Sequence, residues 1–325
     1  MKRIIALMLA AFVMLPLSSC AKKPNKASSS ATVNQTRRTL KIGAAYDESA
    51  ILIADMMQKN EQKKLQGEYL ISLFEDTDAV AKKLMDRSID AALLPAGVAI
   101  STAKAGSGLR IAAALSSDNL FAVTKTTEIT DIKGLKSKKI GVLNTFNEKS
   151  VLSDLMSANG IALNDITLDT FKTADDLKKA AESQEYDVLV AAEPYAALCQ
   201  SYNEKYAFRL SLGEFWKSAH SKSLPGTLLV ISSDCAVAYR QEFSDLTADL
   251  KASVKAVSAD TDRVAKLVKN YGVSQSIEAS KQSVEAISGA YTEKNELSSL
   301  LKNYLEAIGS SFGAKSSELS GILLN

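Results

Sequence analysis

The sequence predicts an α/β protein of two similar lobes with a ligand space between them. Three observations carry this prediction. Two apolar strand runs each end at a proline that opens a helix: Ile89–Ile100, IDAALLPAGVAI, and Tyr186–Cys199, YDVLVAAEPYAALC. Short apolar runs alternate with helix-period segments between Leu40 and Leu212, the pattern of strands joined by right-handed crossover helices. Beyond Ser232 only helical periodicity remains. Proline tolerates the first helical turn because its missing N–H has no partner to lose there. A strand that stops just before such a helix leaves a loop at its carboxyl end, where open α/β sheets bind ligands.

The chain of 325 residues is long enough for two cores, and 46% hydrophobic with 23% charged residues is a globular composition. Met1–Ser19 has Lys2 and Arg3 followed by an apolar run broken at Pro16. It is too short for a membrane span and reads as a secretory signal peptide. Leu17-Ser18-Ser19-Cys20 resembles the lipobox of bacterial lipoproteins, which implies lipidation of Cys20 and a membrane-anchored, extracytoplasmic protein. Residues 20–39 are polar, without apolar periodicity, and read as a disordered tether. The formal charge of +2 includes Lys2, Arg3 and five tether bases, so the body from residue 40 is mildly acidic. With no basic run, nucleic acid is not an expected partner. Cys199 and Cys235 fall in different lobes, where a bridge would oppose lobe movement, so two separate buried thiols are expected.

Leu40–Tyr46 reads as a first strand, followed by Asp47, Glu48 and Ser49 as cap residues for a helix at about 49–60. Glu68–Phe74 is a second strand, and Asp76 or Thr77 caps the next helix. After the first strand-to-proline unit, Gly106-Ser107-Gly108 closes a helix instead of opening one, so it reads as a C-cap and turn, not a phosphate loop. Leu109–Leu115 and Leu120–Lys125 are extended. Lys139–Leu143 is a strand followed by the polar loop Asn144–Ser150 and a helix ending at Asn159. Ile166–Thr170 is a strand, and Thr173 opens the helix over Leu177–Ser183. After the second strand-to-proline unit comes a strand around Ala207–Leu212, then the polar segment Glu214–Ser223 with the only Trp and the only His. Leu224–Ile231 returns to the first lobe. These readings give one lobe of residues 40–120 and 225–325 and a second of 121–224. The helical stripes Leu246/Leu250/Val254/Val257, Val264/Leu267/Val268/Tyr271 and Leu297/Leu300/Leu301/Tyr304/Leu305/Ile308 are core packing.

Four local motifs stand in order: Asp90–Ala96, Asp131–Val142, Tyr186–Ala196 and Leu224–Ser232. Behind a lipobox and a tether they resemble DxAxxPA, DLKGKKIGV, VDAxxxxEPYA and LPxTxLVxS of substrate-binding lipoproteins of ABC importers, in the branch serving nitrate, sulfonates, taurine and thiamine-type pyrimidine precursors. The resemblance covers about residues 40–325. It implies a type II periplasmic-binding-protein fold, two crossover strands as hinge near 120–125 and 224–230, a helical C-terminal region, and an ABC permease as partner. It implies a monomer that needs no cofactor.

The ligand-facing loops are then 45–49, 94–97, 116–119, 144–149 and 192–195, and the expected ligand contacts are Tyr46, Asp47, Pro95, Ser117, Asn144, Phe146, Asn147, Glu193 and Tyr195, with Trp216 near the hinge. Tyr46, Phe146 and Tyr195 can stack on a planar ring, and Glu193 can accept from an amine. The loops hold one base, Lys149, against Asp47, Glu48, Asp118, Glu148 and Glu193. They lack the glycine- and serine-rich loop with which relatives approach oxyanions. A neutral or cationic small organic ligand, heteroaromatic rings included, is expected over nitrate or sulfonate. Acids at helix starts also complement the macrodipole without any ligand, which leaves Asp47 and Glu48 two roles. Trp216 likewise reads as a packing residue, and His220 as solvated. Two other functions remain open: a ligand-binding module for a membrane receptor or a non-transport surface lipoprotein, and an enzyme on the same fold. With one His, no metal-ligand spacing, no nucleophile elbow and no Walker loop, the sequence offers no catalytic residues and no metal site.

Overall fold

The computed structural model describes residues 37–145 and 147–324. The signal peptide, Cys20, most of the tether and Phe146 lie outside the described residues. In chain order the first part comprises β1 (Leu40–Ala45), α1 (Glu48–Leu52), α2 (Ala54–Glu61), β2 (Tyr69–Phe74), α3 (Thr77–Met85), β3 (Ala91–Pro95), α4 (Ala96–Ala105) and β4 (Leu109–Ser117). The chain then crosses into β5 (Leu120–Thr124), β6 (Lys139–Leu143), α5 (Glu148–Ala158), β7 (Thr167–Phe171), α6 (Ala174–Ser183), β8 (Val188–Ala192), α7 (Tyr195–Tyr202), β9 (Phe208–Ser211) and α8 (Leu212–His220). It returns through β10 (Thr227–Ser232), α9 (Ser233–Ala238), α10 (Arg240–Ala259), α11 (Thr261–Asn270), α12 (Ile277–Ala286), β11 (Ser288–Glu293), α13 (Lys294–Ile308) and α14 (Leu319–Ile322).

The strands form two mixed sheets, ordered β11-β4-β10-β3-β1-β2 and β7-β6-β8-β5-β9. Each sheet has a parallel core, β2-β1-β3 in one and β7-β6-β8 in the other. Each also takes in, antiparallel beside its proline strand, the strand by which the chain arrives from the other half. β10 lies against β3 with Thr227 opposite Pro95, and β5 lies against β8 with Leu120 opposite Ala192. β3, β5, β8 and β10 are buried along their whole length, so they read as continuous apolar runs without alternation. One apolar cluster runs from Ile100 and Leu228 through Tyr304 to Leu152 and Trp216, so the two halves share part of their core.

The two crossovers are tied side by side. The Asp118 N–H donates to the Leu224 carbonyl at 2.8 Å, and the Leu224 N–H donates to Asp118 Oδ1 at 2.7 Å. The Gly226 N–H donates to the Ser116 carbonyl at 3.0 Å, and Ser117 bridges Pro225. Gly226 is required by close approach: a Cβ there would lie 2.3 Å from Ser116 Oγ and 3.1 Å from Glu48 Oε2.

Three expectations need correction. The helix expected at about 49–60 is two helices that part at Ile53. All five residues of α1 are buried, so the chain must re-aim before α2 can present its own outer face to solvent. The C-terminal region is not purely helical, because β11 pairs antiparallel with β4 at the sheet edge. Its half-buried sequence SGAYTE, interrupted by a register shift between Gly289 and Thr292, carries little apolar alternation. His220 is not solvated: its Nε2 lies 2.6 Å from Asp154 Oδ2 and its ring sits 4.2 Å from that of Trp216. Gly106-Ser107-Gly108 is a turn after α4, with Gly108 at φ +70. Cys199 and Cys235 are separate buried thiols, pushed up by burial to about 12 and about 11.

Candidate ligand-binding cleft

The carboxyl ends of β1 and β3 from one sheet, and of β8 from the other, converge with both crossovers on a small cavity. Its volume is about 40 Å³. α1 contributes Glu48, the β3–α4 junction Pro95 and Ala96, α5 Glu148 and Val151, and α13 Tyr304. The first crossover adds Asn119 and Leu120, and the return crossover adds Leu224, Pro225 and Gly226. At that size the cavity holds about three water molecules, so it fits a small head group.

Among the described residues its charged lining is two carboxylates, Glu48 and Glu148, with no Lys, Arg or His. Glu48 is only 4% exposed. Thr227 Oγ1 on β10 donates to its Oε2 at 2.7 Å. Oε1 is buried and has no hydrogen-bond partner among the described residues. Burial raises the Glu48 carboxyl to about 7, offset in part by Thr227 and by the nearby Ser116 and Asn119, while Asp47 adds to the rise. Glu148, also buried, accepts from Thr145 Oγ1 at 2.9 Å. The Tyr304 phenol is raised by burial and hydrogen-bonds the Asn147 side chain.

A wider groove of about 620 Å³ includes Asp47, next in sequence to Glu48 of the cavity. It brings together Asp47, Asn144 and Tyr195 with Glu75, Asp76, Asp78 and Asp175, against one base among the described residues, Lys172. Asp47 is committed to its helix start, since Oδ1 accepts the Ser49 N–H at 2.8 Å and Oδ2 accepts from Thr77 Oγ1 at 3.3 Å. Burial raises its carboxyl, and the Ser49 and Thr77 bonds oppose the rise. Tyr195 on α7 reaches across to the opposite half, its hydroxyl 3.5 Å from the Tyr46 carbonyl oxygen.

The expected contacts are therefore dispersed. Pro95 lines the cavity, whereas Asp47, Asn144 and Tyr195 line the groove. Asn147 borders another depression with Asp78 and Gly97. Ser117 faces a separate one formed with Lys222 and α13. Tyr46 is 40% exposed and offers its carbonyl to Tyr195. Trp216 is enclosed between His220 and Tyr304 and lines none of these spaces. Glu193 is fully buried: it pairs with Arg209 and its Oε2 accepts the Ala197 N–H at 3.3 Å. The Arg209 guanidinium lies 4.3 Å from the Phe121 ring centroid, and burial lowers it to about 10. An oxygen held inside the second half in this way is not presented to the cavity.

Of the polar lining residues, Glu48, Asn119 and Glu148 fall in the expected ligand-facing loops but were not expected as contacts, and Tyr304 was expected only as core packing. Glu48 and Glu148 each open a helix after a strand-end loop, a shared position that was the available signal. Tyr304 sits in an apolar stripe and had no signal at all. Among the described residues no group of three His, Cys, Asp or Glu is placed to hold a metal. No helix among them is long and apolar enough to cross a membrane.

Residues 75–194 match a family model described as NMT1/THI5 like. No curated protein matches the chain. Solved structures do. The periplasmic aliphatic sulphonate binding protein SsuA from Escherichia coli is 14% identical with a TM-score of 0.70, covering 88% of this chain and 92% of its own. The ligand-binding component of an ABC-type import system from Staphylococcus aureus, solved with zinc bound, is 14% identical with a TM-score of 0.69, covering 89% and 97%. A Candida albicans gene product with the generic periplasmic binding protein structural fold is 12% identical with a TM-score of 0.61, covering 88% and 96%. The chain thus carries an NMT1/THI5-like segment within the fold of ABC-type substrate-binding proteins.

Proposed function

We propose that this chain is the substrate-binding component of an ABC importer, held at a bacterial membrane by lipid on Cys20 and delivering its ligand to a permease. It captures a small neutral or cationic organic molecule between its two halves and performs no chemistry on it. One observation carries this reading: a small cavity at the paired crossovers, lined from both sheets, whose charged groups among the described residues are two carboxylates. A ligand there touches both halves and the hinge at once, which is how binding drives closure in two-lobed proteins. The acidic groove raises the local concentration of cations and disfavours anions.

Thermal unfolding of the purified protein against amines, aminopyrimidines, sulfonates and nitrate tests the proposal. A ligand at a hundred times its Kd adds about 2.7 kcal/mol of stability. Stabilisation by amines or aminopyrimidines supports the reading. Stabilisation by sulfonates or nitrate alone overturns its charge argument, and turnover of any compound overturns the assignment as a binding protein.

A further inference from the structure

We propose that the ligand carries an organic cation as its head group, an ammonium or amidinium, and that Glu48 Oε1 is the atom that anchors it. The inference rests on reading the cleft as a ligand site and goes further by naming the anchor and the charge.

A carboxylate oxygen taken out of water without a hydrogen bond is costly, and native interiors seldom leave one so. Glu48 Oε1 is such an oxygen, in a side chain that lines the cavity. Its twin, Oε2, accepts from Thr227 on β10. Among the described residues the groups around it hydrogen-bond the carboxyl but bring it no positive charge. Beside it on α1, Asp47 is another acid, used by Ser49 and Thr77. α5 brings Glu148 and α13 brings Tyr304. β4 and β10 supply the uncharged Ser116 and Thr227, and the first crossover supplies Asn119. Asp118, further along that crossover, is bonded to the Leu224 N–H and the Ser117 hydroxyl. Among the described residues no base enters the lining.

A cationic head group satisfies Oε1 by donating to it, in a cavity that Glu48 and Glu148 line from opposite halves. Charge-assisted bonds of this kind are about twice as strong as neutral ones. Because the carboxyl is raised to about 7, cation binding strengthens as pH rises through neutrality, where the competing proton is lost.

The test uses the full chain with methylammonium, acetamidinium, neutral acetamide and methanesulfonate, read by thermal shift and equilibrium titration at pH 6 and 8. Both cations are expected to bind, more tightly at pH 8, and Glu48→Gln is expected to weaken them at least tenfold. Glu48→Asp, which keeps the charge but withdraws it by one methylene, should fall between, and serves if the glutamine variant does not fold. Cation binding unchanged in both variants overturns the anchor while the binding-protein reading stands. Binding of methanesulfonate in preference to the cations overturns the charge, again leaving that reading intact. Failure of all four probes counts against both.

Discussion

Glu48→Gln is expected to make the unliganded protein more stable above neutrality while removing its response to cations. Burial lifts the carboxyl from 4.5 to about 7 in the folded protein. Between those values the folded state holds the proton and the unfolded state has lost it, so the folded state binds more protons and stability falls as pH rises. The Glu48 contribution is fully favourable below about 4.5 and is lost as pH climbs through about 7. A shift of that size corresponds to about 3 kcal/mol. Glutamine is close to the protonated acid in shape and can still accept from Thr227, but it never ionises. The variant should therefore match the wild type near pH 4.5 and exceed it progressively, by up to about 3 kcal/mol at pH 8. In a domain of this size that is a rise in Tm of roughly 5 °C or more. Urea unfolding of both proteins at closely spaced pH values measures the difference, and every other titrating group cancels in it. A glutamine variant less stable than the wild type at pH 8 would refute the reasoning, because it would mean that the charged carboxylate is already compensated inside the protein.

Other perturbations separate binding from support. Glu193→Gln should lower stability by roughly 3–5 kcal/mol by leaving Arg209 buried without its partner, and Arg209→Met in the same chain should recover most of the loss in urea unfolding. Gly226→Ala should cost about 1–3 kcal/mol, since its methyl meets Ser116 Oγ and Glu48 Oε2, and should also weaken ligand binding in the same titrations. Trp216 is fully buried against Tyr304, which lines the cavity, so ligand binding should change tryptophan emission, and Tyr304→Leu should remove most of that change.

The fold was legible because its buried strands are written as unbroken apolar runs, and β3 and β8 each stop at or beside a proline. The crossover strands were legible for the same reason. β11 was not, since an edge strand of Ser, Gly, Ala, Tyr, Thr and Glu needs its partner β4 to be a strand at all. The candidate cleft matches the expected strand-end loops in place but not in its set of side chains. Glu193 and Glu48 both follow a strand end, and sequence offers no way to see that Arg209 arrives beside the first and no base beside the second. That difference is set by residues far off in the chain: Arg209 lies on β9, the neighbour of β5, whereas the corresponding position near Glu48 is filled by Thr227 and Gly226.

The cavity's position follows from the way each sheet receives the other's chain. In the first sheet, the Ala96 N–H just past Pro95 donates to the Gly226 carbonyl at 2.8 Å. In the second, the Glu193 N–H just past Ala192 donates to the Asn119 carbonyl at 3.3 Å. The two bonds are counterparts: each pins the end of a proline strand to the residue that enters the adjacent crossover strand. Pro95, Gly226, Asn119 and Ala192 all line the cavity, so it sits where both halves are fastened to the hinge. A head group bound there lies close to the pivot, and a small change in its contacts becomes a larger displacement at the rim, where Tyr195 reaches the Tyr46 carbonyl. On the proposed function, recognition falls to Glu48 at the pivot and closure to Tyr195 at the rim, two separate tasks. Tyr195→Phe should leave the charge preference for cations intact while speeding ligand release in stopped-flow measurements, whereas a variant that reverses the preference for cations over methanesulfonate would place recognition at the rim instead.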